Sequence, residues 1–209
     1  MRVLVIGPAN YTYILRNILK EGEMEFIQAD DILPPGLDWS SIDIMLLTGG
    51  PDVSPHLYGE SPTAGTNSVI ARDVREQTLY DVALRHNVAM IGICRGAQFL
   101  NVMNGGKLHQ HVRNHRANHP INLLTRFGEF PETIQVNSSH HQMMVVPKDG
   151  QILAYASNIA FQGGVVEPEV VFFPATRSLC IQYHPERMMQ DSLGLKYTQS
   201  LIEALIIPR

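Results

Sequence analysis

Runs of consecutive apolar residues alternate along this chain with segments in which apolar residues recur at helical spacing, the pattern of a parallel sheet covered on both faces. Val3 to Ile6 reads as a first strand, Tyr11 to Lys20 as a helix and Met24 to Gln28 as a strand. Asp43 to Leu47 is the next strand, ending at a Thr48-Gly49-Gly50-Pro51 loop. From Ala71 to Asn87, the recurrence of Val74, Thr78, Val82 and His86 predicts a helix with Arg72 and Asp73 in its first turn. Val88 to Ile93 is then a central strand and Arg95 to Asn104 the helix after it. From Lys107 the pattern changes: His119 to Leu124, Thr133 to Val136, Ile152 to Ala156 and Val165 to Phe173 are short extended pieces, read as a small antiparallel appendage. A strand at Ser178 to Tyr183 and a helix at Asp191 to Ile207 complete the order. The expected fold is α/β, one domain over residues 1–209, with a mostly parallel central sheet, helices on both faces and the appendage. The Pro/Gly-rich segment from Asp52 to Thr66 reads as a long functional loop.

Composition narrows the partners. The chain has 209 residues, 44% of them hydrophobic, and a formal net charge of −4, with a pI near 6.1. It offers no electrostatic reason to expect a nucleic acid or an anionic membrane. The start, Met1 to Gly7, is too short for a signal-peptide core and no apolar run approaches a membrane span, so a cytoplasmic setting is expected. Of the two cysteines, Cys180 sits within an apolar strand and reads as a buried spectator. Cys94 in a reducing compartment reads as a catalytic thiol rather than half of a bridge.

The densest chemical signal is Ile91-Gly92-Ile93-Cys94-Arg95-Gly96-Ala97-Gln98. An apolar run ends there in Gly-x-Cys-x-Gly and passes straight into a helical pattern, which is how a nucleophile elbow reads. A residue on so sharp a strand-to-helix turn has strained backbone angles, and glycine is needed two positions away because a Cβ would collide with the crossing chain. The helix N-terminus beneath the thiol should favour the thiolate and lower its pKa. The plain alternative is a turn whose cysteine is only a small buried apolar residue. A thiol nucleophile needs a base, and the base needs a third group to orient it. His184 and Glu186 in Cys180-Ile181-Gln182-Tyr183-His184-Pro185-Glu186 can supply both, since residues two apart at a strand end point the same way.

Taken together, these blocks resemble the class I glutamine amidotransferases, and within them the γ-glutamyl hydrolase branch. The resemblance runs from about Ile42 to Glu186. It takes in Leu47 to Val53, Pro55-His56-Leu57-Tyr58-Gly59, Arg72-Asp73, Gly92 to Gln98, Asn101-Val102, Gly105 to Gln110, Val136 to Gln142 and Gln182 to Glu186. It implies a flavodoxin-like sheet and a Cys94, His184, Glu186 triad. Backbone N–H groups of Gly50 and of Arg95, the residue after the nucleophile, are the oxyanion donors by position and by resemblance. Gly49 belongs to the same loop, which faces the elbow in the family. Gln98, one helical turn after Cys94, can reach back over the site, and in the family this position contacts the substrate glutamyl group. The family's Ser138-Ser139-His140 backbone holds the α-amino and α-carboxylate groups of that moiety; the plain alternative for Asn137 to His141 is a polar turn. Glu167 matches an acid that the family places near the glutamyl amino group, although Pro168 follows where a small residue is usual.

His109, His111, His115 and His119 are spaced two and four apart, but no cysteine or closely spaced acid joins them, so neither a metal nor any other cofactor is expected. The segments between the His115 region and Asn137, and before Glu167, are shorter than the γ-glutamyl hydrolase branch usually has, and these shape the leaving-group pocket in the family. The expected activity is cysteine-dependent cleavage of a small γ-glutamyl amine to glutamate and free amine. Two alternatives stand beside it: a glutaminase subunit passing ammonia to a synthase, and a binding protein on the same fold. The expected partners are a γ-glutamyl small molecule, a second copy of the chain in a homodimer and, under the glutaminase alternative, a synthase.

Overall fold

A computed structural model describes residues 1–7, 9–15, 25–29, 36–157 and 159–207. Four consecutive parallel pairings build the first half of its main sheet. β1 (Arg2–Ile6) lies between β2 (Glu25–Ala29) and β3 (Ile44–Leu47), and β4 (Ala89–Ile93) pairs with β3. The short pairs β5 (Lys107–His109) and β8 (Met143–Val145) stand apart as a two-stranded antiparallel sheet. β6 (His119–Leu123), β7 (Thr133–Val136), β9 (Gln151–Ser157) and β10 (Val166–Phe173) continue the main sheet beyond β11 (Ser178–Ile181), giving the order β2-β1-β3-β4-β11-β10-β9-β6-β7. The antiparallel half is thus laid edge to edge on the parallel half, joined at the antiparallel β10–β11 pair.

The central strands are apolar throughout because both of their faces are covered. Val3, Val5, Ile44, Leu46, Ile91, Leu179 and Ile181 face one core, where they meet Tyr11, Ile14 and Leu15 and, from α3 (Leu193–Leu205), Leu195, Leu201 and Ile202. Leu4, Ile6, Met45, Leu47, Met90 and Cys180 face the other, under α1 (Ile70–Arg85) and α2 (Arg95–Met103). Cys180 is free and fully buried there. Ser192 caps α3, its hydroxyl accepting the Leu195 N–H.

Two elements depart from the expected pattern. The segment expected as a helix from Tyr11 begins as a 3-10 helix, Ala9–Leu15, and the remainder to Lys20 lies outside the described residues. In α1 the stripe Val74, Thr78, Val82, His86 is not the buried face: Val74 is 55% exposed, while Asp73, Glu76, Leu79, Tyr80 and Ala83 are buried. The reason is electrostatic. Asp73 and Glu76 turn inward to pair with the buried guanidinium of Arg95, so the inward face begins with charge rather than hydrocarbon.

The glycines around Cys94 are sterically required. A Cβ on Gly96 would fall on the Leu47 carbonyl, 2.8 Å from its carbon, and one on Gly92 would stand 2.6 Å from the Ala97 nitrogen. Both obstacles are backbone. Gly96→Ala is expected to cost about 1–3 kcal/mol through overpacking, lowering Tm by about 2–4 °C per kcal/mol in a domain of this size. Gly65→Ala, with nothing within 4 Å, is the matched control and should leave Tm unchanged. Equal midpoints in a thermal melt of the two variants would contradict this account of the turn.

Candidate active site

Three neighbouring strand ends build the site. β4 stops at Cys94, held at φ 52° and ψ −107°, a strained conformation for a residue with a Cβ. β3 leads into Thr48-Gly49-Gly50 and β11 into Gln182-Tyr183-His184. Because β4 lies between β3 and β11, the three ends open side by side at the carboxyl edge of the sheet, where open α/β sheets bind ligands. A Cβ built on Gly49 would stand 3.3 Å from His184 Cε1 and 3.7 Å from Cys94 Cβ, so loop, thiol and imidazole share one corner.

His184 is held from two sides. Its Nδ1 lies 2.7 Å from Glu186 Oε1; the carboxylate accepts and Nδ1–H donates, which leaves Nε2 as the basic nitrogen. Asn137 clamps its backbone, accepting the His184 N–H at 2.9 Å and donating Nδ2–H to the His184 carbonyl at 2.8 Å. The expected reason for the His184–Glu186 pairing does not hold: β11 ends at Ile181, and Glu186 reaches the imidazole from the 3-10 turn Pro185–Arg187. The pairing comes from that turn, not from strand alternation.

The glycine loop is braced from α1. Arg72 donates to the Thr48 carbonyl at 2.9 Å and to the Gly49 carbonyl at 3.0 Å, and its Nε pairs with Glu76 at 2.7 Å. Glu76 and Asp73 also bind the Arg95 side chain, and Asp73 accepts the Ser54 N–H at 3.1 Å. Arg95 therefore sends its guanidinium away from the thiol, while its backbone N–H is a donor to Cys94. Gly49 N–H donates to Tyr11 Oη at 3.2 Å. Gly50 has φ +147°, a conformation that favours glycine, and a Cβ there would run into the Arg72 guanidinium.

A cavity of about 270 Å³ lies over this corner. Its walls include Gly50, Cys94, Arg95, Gln98, Ser139 and His140 from the expected set, together with Pro51, Asp52, Asn67, His141 and Gln142. Gln98 Nε2 donates to the Gln142 carbonyl at 3.1 Å and to Gln182 Oε1 at 3.3 Å, which fixes its amide across the floor. At the rim His141 Nε2 meets Asp52 Oδ1 at 3.0 Å. Gly49, Ser138, His184 and Glu186 of the expected set are not part of the lining; Ser138 Oγ donates to the His115 carbonyl at 2.5 Å instead. Glu167 also stands away from the cavity. It is fully buried and accepts the N–H groups of Ile159, Ala160 and Phe161 at 3.0–3.2 Å.

The thiol itself differs from the expectation of a lowered pKa. Burial pushes Cys94 up to about 12; the Arg95 N–H works against this and the Glu186 charge adds to it. Desolvation at the foot of the cavity outweighs the helix terminus. Asn137, Tyr11, Glu76 and Gln142 escaped the sequence reading as parts of the site because each acts through contacts between distant segments. His109 and His111 stand apart from His115, beside Phe161 and His141 respectively.

The family profile described as Peptidase C26 matches residues 39–186. Glutamine amidotransferase-like protein YvdE of Lactococcus lactis subsp. lactis is 36% identical over 163 residues, 69% of this chain and 66% of that protein. The chain thus spans a little under two thirds of that relative's length. γ-Glutamyl-γ-aminobutyrate hydrolase of Escherichia coli O157:H7 is 40% identical over 73 residues, 33% of this chain and 27% of that protein. The crystal structure of a glutamine amidotransferase from Thermotoga maritima superimposes with a TM-score of 0.66 at 18% identity, over 98% of this chain and 81% of that one, and so shares the fold. Among the described residues no helix is long and apolar enough to cross a membrane. The matched span carries the glycine loop, the strained turn and the His184–Glu186 pair alike, and the chain belongs to the peptidase C26 family of class I glutamine amidotransferase-like proteins.

Proposed function

We propose that this chain is a cysteine-dependent hydrolase that cleaves the γ-glutamyl amide bond of a small γ-glutamyl amine, yielding glutamate and the free amine. The observation that supports the reading is the shared corner at Gly49, whose Cβ position is 3.7 Å from Cys94 Cβ and 3.3 Å from Cε1 of the Glu186-anchored His184. Cys94 Sγ attacks the γ-carbonyl as its proton passes to His184 Nε2. The raised thiol pKa makes that transfer part of the attack rather than a step before it. The Arg95 and Gly50 N–H groups receive the developing oxyanion. The C–N bond then breaks, His184 hands its proton to the leaving amine, and a glutamyl thioester remains. Water, deprotonated by His184, cleaves the thioester and Cys94 regains its proton. The Gln98 amide and the Ser139–His140 backbone hold the glutamyl α-groups.

Beyond His141 the cavity adjoins a wider hollow of about 400 Å³ that carries Arg113 and Arg116. Two guanidinium groups there suit a leaving amine that bears an acid group. A second reading, a glutaminase that passes ammonia to a synthase, draws on the amidotransferase-like name of the Lactococcus relative. One assay separates them. Purified protein alone should release glutamate from a panel of γ-glutamyl amines faster than from glutamine, and fastest where the amine carries a carboxylate. Activity on glutamine only, and only after a synthase is added, would favour the second reading.

A further inference from the structure

Behind the cavity wall formed by Ser139–Gln142, five ionisable side chains meet out of reach of solvent. His115 and His119 come from the segment entering β6, His140 from the wall itself, and Glu167 and Glu169 from β10; all five are buried. The acids that the sequence places far from the histidines therefore join them in the fold. His115 Nδ1, His119 Nε2 and His140 Nε2 lie 3.3, 3.1 and 3.6 Å from one oxygen, Glu169 Oε1.

Proton bookkeeping shows what this arrangement lacks. His140 Nδ1 donates to the Gln142 carbonyl at 2.9 Å, so in its neutral ring Nε2 carries a lone pair, whereas His119 Nε2 is hydrogen-bonded to Glu169 Oε1 at 3.1 Å. His115 Nε2 donates to Glu167 Oε2 at 2.8 Å, which leaves its lone pair on Nδ1. Two nitrogen lone pairs, on His115 Nδ1 and His140 Nε2, thus point at a carboxylate that can only accept. Among the described residues, His115 Nδ1, His140 Nε2 and Glu169 Oε2 are buried without a hydrogen-bond partner. A single divalent cation satisfies the same atoms and balances the two carboxylates.

We infer that His115 Nδ1, His140 Nε2 and a Glu169 carboxylate oxygen form a binding site for one divalent transition-metal ion of the zinc class. Metal–ligand bonds of about 2.0–2.1 Å in a tetrahedron separate neighbouring ligands by about 3.3–3.4 Å, close to the 3.3 and 3.6 Å between Glu169 Oε1 and the His115 and His140 nitrogens. The ligand atoms of His115, His140 and Glu169 all lie within 4.8 Å of one another. Each imidazole has its other nitrogen anchored on a carbonyl or carboxylate, the outer contact that orients metal-binding histidines. Two imidazoles and one carboxylate suit zinc, cobalt or nickel better than calcium or magnesium. The metal acts as a brace. It ties the cavity wall, through His140, to β10 and to the His115 segment, whose carbonyl already accepts Ser138 Oγ and the His140 N–H. It takes no part in bond cleavage.

Metal content and melting test this independently of any activity. Protein dialysed against chelator and titrated with zinc should take up one equivalent per chain and gain several degrees in Tm, since a ligand bound only by the native state stabilises it. Cys94→Ala should bind zinc equally well, which separates this site from the thiol. Glu169→Gln and His115→Ala should each weaken binding by at least the ~10–100-fold that loss of an outer contact costs. Cobalt substituted into the wild-type protein should give the strong visible bands of a tetrahedral nitrogen–oxygen site without a sulfur-to-metal charge-transfer band, a readout that needs no variant to fold. No zinc uptake by the wild type, loss of uptake in Cys94→Ala, undiminished affinity in a folded Glu169→Gln variant or a thiolate band in the cobalt form would each overturn the proposal.

Discussion

Replacing Cys94 with alanine should reduce glutamate release by about 10⁴-fold or more, because loss of the nucleophile leaves only binding and oxyanion stabilisation. The fold should survive, since alanine is smaller than cysteine and no more strained at φ 52°. The same residue should carry the label when the wild type is treated with an electrophile that mimics glutamine. Cys180, fully buried between β4 and β10, should stay unmodified. The pH dependence follows from the raised thiol pKa. With Cys94 pushed up to about 12 by burial, the free chain holds a neutral thiol across the neutral range. Its alkylation by a small neutral reagent should therefore rise about tenfold per pH unit, without a plateau near pH 7. A plateau there would mean that the free thiol is already ionised, and the coupled proton transfer described above would be wrong.

The second large effect concerns His184. His184→Ala should cost about as much in kcat as loss of the thiol, since a thiol held neutral by burial depends on the base for its reactivity. Glu186→Gln should cost less, about 10²–10⁴-fold, because the base and the thiol stay in place and only the orienting charge is lost. A glutamine at 186 can present its amide N–H to Nδ1 and trap the wrong tautomer, so Glu186→Ala serves as the companion variant. Near-wild-type turnover in His184→Ala, measured as initial rates on the best substrate of the γ-glutamyl panel, would reject His184 as the base.

Much of this site is legible along the chain because its constraints are local. Gly92 and Gly96 are required by atoms that any chain crossing a strand-to-helix turn would meet, so their spacing around Cys94 speaks for itself. His184 and Glu186 are close in sequence and remain so in space, although a 3-10 turn rather than a strand brings them together. What cannot be read along the chain depends on which distant segments meet. Asn137 clamps His184 across 47 positions. Glu169 reaches His119 across 50, which is why the histidines looked unsupported by acids. The buried face of α1 was misread for the same reason: its inward Asp73 and Glu76 make sense only once Arg95 lies opposite them. The pKa of Cys94 depends on how deep the turn sits, and depth is a property of the packed fold.

The central claim is that glutamate leaves by way of a thioester on Cys94. The most direct test mixes the protein with a γ-glutamyl amine, quenches in acid during turnover and maps the digested peptides by mass spectrometry. The account predicts a glutamyl adduct on the peptide containing Cys94, absent from Cys94→Ala and released by hydroxylamine. Steady turnover with no adduct on that peptide, or an adduct that persists elsewhere in an active Cys94→Ala variant, would contradict it.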